Sequence, residues 1–325
     1  MRVLVTGVSG FVGLVVARAL VDAGHVVHGV ARHPPDARRL AGTRVEFHAR
    51  DVRDAEAIAR LVGDVRPDAV VHLAAVAEPA AAEGDPMAAY AVNLGGTLAL
   101  LSAVRGAAPR ARVLIVSTSA VYGAVDPGAG SLDEDTALRP LTVYAASKAA
   151  AELVALQWQR AYGLDVMVAR PFNHTGPGQG GAYLCPALAG QIAAIEAGRQ
   201  APVLAVGNLD PVRDLLDVRD VAAGYLALLA SGRAGRVYNL CSGIGVQVGE
   251  VVDLLRDLAG VPLEIRIDPA RRRVHDVPRV VGSHALATAD TGWRPAIALR
   301  DTLAALLAEC RFALAAPAPP GYLPR

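Results

Sequence analysis

Two patterns alternate along the first 170 residues. Short apolar runs at Arg2 to Val5, His25 to Val30, Ala69 to Ala75 and Arg112 to Val116 read as strands, and a further strand enters at Val45 and runs to the carboxylates Asp51 and Asp54. The run Ala69 to Ala75 is apolar on both faces, as a strand buried in a parallel sheet must be. Between the strands, Leu14 to Leu20 has helical character and stops at Gly24, Ala55 to Val62 forms a helix, and another holds Asn93 to Thr97. The run after Tyr144 is rich in Ala, Lys, Glu and Leu, all good helix formers. This alternation predicts an α/β fold with a doubly wound parallel sheet over residues 1–170. Beyond Arg170 loops and short elements take over, with Pro and Gly from Pro171 to Gly181. A smaller, discontinuous lobe is therefore expected over 171–325, with a segment of about 209–235 returning to the first domain. No internal repeat is visible.

Composition narrows the possibilities. With 325 residues, 53% of them hydrophobic and 19% charged, the chain can bury a large core and a second lobe. Lys and Arg total 32 against 31 for Asp and Glu, so no net field draws the chain to nucleic acid or to an anionic membrane. Cys185, Cys241 and Cys310 are far apart and lack metal-type spacing, so no metal is expected and the thiols read as reduced, in a cytoplasmic protein. The chain opens directly on a strand, without the apolar core of a signal peptide. No membrane span is expected, because Arg, Asp or Gly breaks each apolar run short of eighteen residues. The Ala- and Pro-rich tail 315–321 is expected to be mobile and to carry no site.

The turn after the first strand, Thr6-Gly7-Val8-Ser9-Gly10-Phe11-Val12-Gly13, carries glycines three positions apart. Strand, glycine turn and helix in this order define a Rossmann-type anion site. Gly7 permits the tight turn, Gly10 admits a pyrophosphate to the backbone, Gly13 packs helix on sheet, and Ser9, Phe11 and Val12 complete the cofactor contact. An NAD site usually ends the second strand in a carboxylate, roughly 20 residues on. Ala31 stands there instead and Arg32 follows, so the ribose 2′-phosphate of NADP(H) would meet a cation. Arg38 and Arg39 fit a solvated loop equally well. Asp51, beside Val52, can hold the adenine amino group, and the small segment Leu73-Ala74-Ala75 can lie against the cofactor. His72 reads as a packed structural histidine.

Tyr144 and Lys148, four apart on a helix, share one face, and an ammonium beside a phenol should draw its pKa down from near 10 toward neutrality. By itself such a pair is common. Thr118 or Ser119, at the carboxyl end of a central strand, could reach a substrate held against a nicotinamide. Taken together, the glycine turn, Asp51-Val52, His72 to Ala75, Asn93, Ser117 to Gly123, and Tyr144 with Lys148 resemble the extended short-chain dehydrogenase/reductases acting on nucleotide sugars. The resemblance implies that Thr118 is the catalytic hydroxyl, Tyr144 the acid/base and Lys148 the holder of the nicotinamide ribose. The 4,6-dehydratases of that family place acidic residues directly after the catalytic hydroxyl, where this chain has Ser119 and Ala120, neither of which can do acid/base work at neutral pH.

Within the second lobe, Arg170 to Gln179, Val206 to Asp214, Asp217 to Asp220, Val237 to Gly243, and Arg271 to Arg273 with Asp276 resemble the GDP-4-keto-6-deoxymannose reductase subfamily. By resemblance Arg213 and Arg272 clamp a nucleotide diphosphate, Asn173 lies near sugar or phosphate, and Ser119 contacts substrate; Arg271 and Arg273 fit solvent-facing ion pairs as well. The implied activity is NADPH-dependent reduction of the C4 ketone of a nucleotide 4-keto-6-deoxyhexose, GDP-4-keto-6-deoxymannose before others, in a homodimer paired through the helices around Asn93 and Lys148. A nucleotide-sugar 4-epimerase, a 4,6-dehydratase and a non-catalytic NADP sensor are the alternatives.

Overall fold

The computed structural model describes residues 1–34, 43–123, 125, 128, 130–271 and 277–315. Its main sheet has seven parallel strands: β1 (Arg2–Thr6), β2 (Val26–Ala31), β3 (Val45–Ala49), β4 (Ala69–His72), β5 (Arg112–Val116), β6 (Val166–Pro171) and β10 (Val237–Leu240). They lie in the order β3-β2-β1-β4-β5-β6-β10. The period-2 alternation of each strand sorts its side chains onto two faces. Val3, Val5, Ala69, Val71 and Leu114 enter one core cluster with α1 (Phe11–Asp22) and α8 (Val218–Ser231). Leu4, Val70, Val113 and Ile115 enter the other with α2 (Ala55–Val65), α5 (Gly96–Ala107) and α6 (Val143–Tyr162). Both faces are thus covered, which is why the strands read as unbroken apolar runs. Strand order reverses between β1 and β4, so a crevice at their carboxyl ends is the natural ligand position of such a sheet.

The second lobe is built on a separate core of Cys185, Leu188, Ile192, Leu204, Leu255 and Leu303. It joins α7 (Leu184–Glu196), α9 (Val248–Leu258) and α11 (Leu299–Ala315) to the parallel pair β8 (Val203–Val206) and β12 (Glu264–Ile267). A small sheet of β7 (Asn173–Thr175), β9 (Val212–Asp217), β11 (Gly245–Gln247) and β13 (Arg279–Val280) connects the lobes. α10 (Ala285–Thr291) packs on α8 and β10.

Two expectations need correction. The first concerns the longest apolar helix. α3 (Pro79–Gly84) precedes α4 (Pro86–Tyr90), which continues through a wider π-helical turn, Ala91–Gly95, into α5. The resulting helix Pro86–Ala107 spans 22 residues with mean hydropathy 1.5, long and apolar enough to cross a membrane. Its glycines do not break it, because Gly95 (φ −60°) and Gly96 (φ −61°) keep helical backbone. Half of its apolar window is buried within the protein, where Leu100, Leu101 and Val104 cluster with Ile58, Leu61 and Val62 of α2, so it serves as a core helix of this fold. The second is the strand entering at Val45, which ends at Ala49, leaving Asp51 and Val52 in the following turn.

Candidate active site

The glycine turn is pressed against the segment that follows β4. Gly7 has φ +74°, and a Cβ there would stand 2.8 Å from the Ala74 nitrogen; at Gly13 it would stand 2.3 Å from the Gly7 oxygen. Thr6 fixes the approach: its carbonyl accepts from Leu73 N at 3.2 Å and its Oγ1 from Ala74 N at 3.2 Å. Gly10 is the N-cap of α1 and brings no side chain over the first N–H groups of the helix. That combination, a cradle in which a Cβ would collide and an uncapped helix N-terminus, fits a pyrophosphate. Ser9, Phe11 and Val12 are partly exposed around it, Leu73 and Ala74 line its β4 side with Ala75 next in the chain, and the Phe11 ring stacks on His174 with centroids 6.3 Å apart.

Arg32 is exposed just beyond β2, and its charge acts on Asp51. The Arg53 guanidinium clasps Asp51, Nη2 to Oδ2 at 2.7 Å and Nε to Oδ1 at 3.1 Å, and is the main reason that this carboxyl sits below its ordinary pKa. A carboxylate offers about four lone-pair sites, so Asp51 keeps capacity for a further donor. The Val52 side chain does not face the crevice: it is buried against Gly96, where a Cβ would come within 2.8 Å of its Cγ2. Arg38, Arg39, Arg272, Arg273, Asp276 and the tail 316–321 lie outside the described residues.

Thr142 caps α6 by accepting from Ala145 N at 3.2 Å, and the helix runs unbroken through Tyr144 and Lys148 to Gly163. Thr118, the last residue before a one-turn helix Ser119–Tyr122, lies beside the Tyr144 phenol and accepts from Ala120 N at 3.2 Å. Ser119 is buried and Ser117 Oγ, also buried, has no partner among the described residues. The expectation that the Tyr144 phenol is drawn down toward neutrality is not met. Burial pushes Tyr144 up to about 12, opposed by the nearby Thr118 hydroxyl, and burial pushes Lys148 down to about 8, opposed by the Glu152 carboxylate. Desolvation disfavours both charged forms.

A buried polar chain holds this helix to the sheet. His72 bonds Thr6 Oγ1 at 2.7 Å and Thr97 Oγ1 at 3.1 Å; Thr97 donates to the Asn93 carbonyl at 2.7 Å; Asn93 Nδ2 donates to Ser147 Oγ at 2.8 Å; and Ser147 donates to the Tyr144 carbonyl at 2.8 Å. Burial, with the nearby Lys148 charge, drives His72 down to about 3, so it is a neutral structural relay. One turn past Lys148, Glu152 forms a buried ion pair with Arg170, whose Nη1 also donates to Tyr122 Oη at 2.9 Å. Asn173 is exposed on β7, opposite Leu215 of β9, and Arg213, part-buried on β9, donates from Nη1 to the Val212 carbonyl at 2.9 Å. Two residues near the crevice carried no role in the sequence reading. His174, against Phe11, sits in a run that was singled out only as a whole. Tyr183, at the N-terminus of α7, acts electrostatically on Tyr144 from the other lobe, and nothing local in the sequence marks it.

Residues 4–306 match the family model described as GDP-mannose 4,6 dehydratase. The chain is 41% identical over 308 residues to the GDP-6-deoxy-D-mannose reductase of Pseudomonas aeruginosa, covering 95% of this chain and 96% of that one. It is 32% identical over 309 residues to a UDP-glucose 4-epimerase of Streptomyces lividans, covering 90% and 91%. Among solved structures, RMD from Pseudomonas aeruginosa complexed with NADPH superposes with a TM-score of 0.84 at 38% identity over 96% of this chain and 99% of that one.

Proposed function

The chain belongs to the GDP-mannose 4,6 dehydratase family of extended short-chain dehydrogenase/reductases, and from that premise we propose that it reduces the C4 ketone of GDP-4-keto-6-deoxymannose with NADPH. The observation that carries this reading is the near full-length likeness to a GDP-6-deoxy-D-mannose reductase, together with a structural neighbour complexed with NADPH. The Gly7–Gly13 turn and Arg32 would hold NADPH, which would supply the hydride when bound. Tyr144, kept protonated by burial, donates its proton to the C4 oxygen, while Thr118 hydrogen-bonds that oxygen as charge develops on it. Lys148 orients the nicotinamide ribose and stabilises the phenolate that forms. Asn173 and Arg213 bind the sugar and diphosphate of the substrate. Ser119 and Ala120 carry no carboxyl, so elimination of water, the reaction after which the family model is named, lacks its acid and base beside Thr118.

The product is GDP-rhamnose or GDP-6-deoxytalose, according to which face of the ketone is reduced. We place the enzyme in the cytoplasm, where its three free cysteines stay reduced. We also propose a homodimer through α5 and α6, which expose Leu98 and Leu153.

The test offers NADPH with the GDP, UDP and dTDP forms of the 4-keto-6-deoxyhexose while nicotinamide absorbance is followed. Stoichiometric oxidation, fastest with the GDP substrate, is the expected result. Interconversion of two intact nucleotide hexoses without cofactor consumption would establish an epimerase, loss of water from GDP-mannose a dehydratase, and NADPH binding without turnover a sensor.

A further inference from the structure

At the edge of the main sheet, away from the crevice, β2 and β3 bring three ligand-type side chains together. Parallel pairing sets His28 opposite Glu46 and Val30 opposite His48, and a spacing of two puts Glu46 and His48 on one face of β3. His28 Nδ1 lies 3.2 Å from His48 Nε2 and 3.4 Å from Glu46 Oε2, and His48 Nε2 lies 3.6 Å from Glu46 Oε1. The imidazoles are mostly buried, with 12% and 19% of their side-chain surface exposed, against 64% for Glu46.

Protons cannot satisfy all three of these contacts at once. Each converging nitrogen holds at most one hydrogen, and the carboxylate only accepts. With one hydrogen, on His28 or on His48, the other ring presents its lone pair to the carboxylate. With a hydrogen on each nitrogen, both carboxylate contacts are made and the two N–H groups face each other across 3.2 Å. A cation at the centre satisfies all three donors at once. Zinc bonds to nitrogen and oxygen of about 2.0–2.2 Å imply edges of about 3.3–3.5 Å in a tetrahedron; the two nitrogens stand 3.2 Å apart, each lies 3.4 or 3.6 Å from its nearer Glu46 oxygen, and one ligand atom of each residue falls within 4.8 Å of the other two. Two imidazoles and a carboxylate are also a donor set that suits zinc.

The geometry points to a zinc site formed by His28, Glu46 and His48, with water as fourth ligand. A groove of about 810 Å³, lined by these residues and by α2, gives that water its access. The bound ion ties the edge strand β3 to β2, and so joins the strand that leads to Asp51 to the one that leads to Arg32.

The test is calorimetric titration of zinc chloride into untagged, chelator-stripped full-length protein, backed by the absorption spectrum of the cobalt(II) form. One zinc per chain is expected, with affinity at least about 100-fold lower in Glu46→Gln and in His48→Ala, beyond the roughly 10–100-fold that loss of an outer-shell partner brings. Cobalt should give ligand-field bands without a thiolate charge-transfer band. Glu46 is largely exposed, so its amide variant keeps the fold, as circular dichroism can verify, and a loss of affinity there cannot be ascribed to unfolding. Absence of zinc binding, unchanged affinity in both variants, or a cobalt–thiolate band would overturn the assignment.

Discussion

Tyr144 and Lys148 are shifted in opposite directions by one cause, and the consequence is a specific pH dependence. Lys148 titrates at about 8, so below that value the ammonium is present to stabilise the phenolate left when Tyr144 gives up its proton. kcat/KM is therefore expected to fall as pH rises through about 8. Lys148→Arg should move this limb upward, because a guanidinium stays charged throughout the range, and an unmoved limb would assign the titration to another group. Tyr144→Phe should keep NADPH affinity while lowering turnover by about 100-fold or more, the scale of a lost general acid. Arg32→Ala should weaken NADPH by about 1–3 kcal/mol and leave NADH nearly unchanged, as separate dissociation constants would reveal. The spacing of Tyr144 and Lys148 is local and can be read from the chain. The sign of the tyrosine shift cannot, because it depends on burial in the folded protein, with a further push from Tyr183, which is remote in sequence.

Helix α6 is where local and distant constraints meet. Its N-cap, Thr142, and its terminal Gly163, at φ +69°, are sequence signals, whereas its rotation about its own axis is set by Asn93 at Ser147 and by Arg170 at Glu152. Those partners lie 54 and 18 residues away, so Asn93 and Arg170 are visible in the sequence as members of motifs while their connection to α6 is not. Glu152→Gln leaves the Arg170 guanidinium buried without its counter-ion and removes the charge that keeps Lys148 from falling further. The variant is expected to lose about 3–5 kcal/mol in chemical denaturation. Among molecules that remain folded, the basic limb of kcat/KM should move below its wild-type position near 8. Loss of stability with an unmoved limb would make Glu152 a packing residue only. The same contrast explains the helix Pro86–Ala107: glycine as a breaker is a local rule, and tertiary burial against α2 overrode it.

For the whole molecule, the buried bases decide how stability varies with pH. His72 falls to about 3 in the folded state from an ordinary 6.5, so between those values the unfolded chain binds a proton that the native one refuses. Stability from this residue is complete above about 6.5 and drains as pH falls toward 3, by about 1.4 kcal/mol per pH unit within the window. Lys148 repeats the logic at higher pH: its shift from 10.5 to about 8 makes stability rise with pH across that interval. Glu134 and Asp214, pushed up by burial, act in the opposite sense just above the carboxylate range, so the histidine contribution must be isolated by substitution. His72→Gln retains groups able to bond Thr6 and Thr97 but cannot titrate. Its denaturation free energy, measured in urea from pH 7.5 down to 5, should fall less steeply than that of the wild type, the gap in slope opening only below about 6.5. Parallel curves would mean that the charged imidazole is accommodated inside the sheet and that the Thr6–His72–Thr97 relay tolerates a proton.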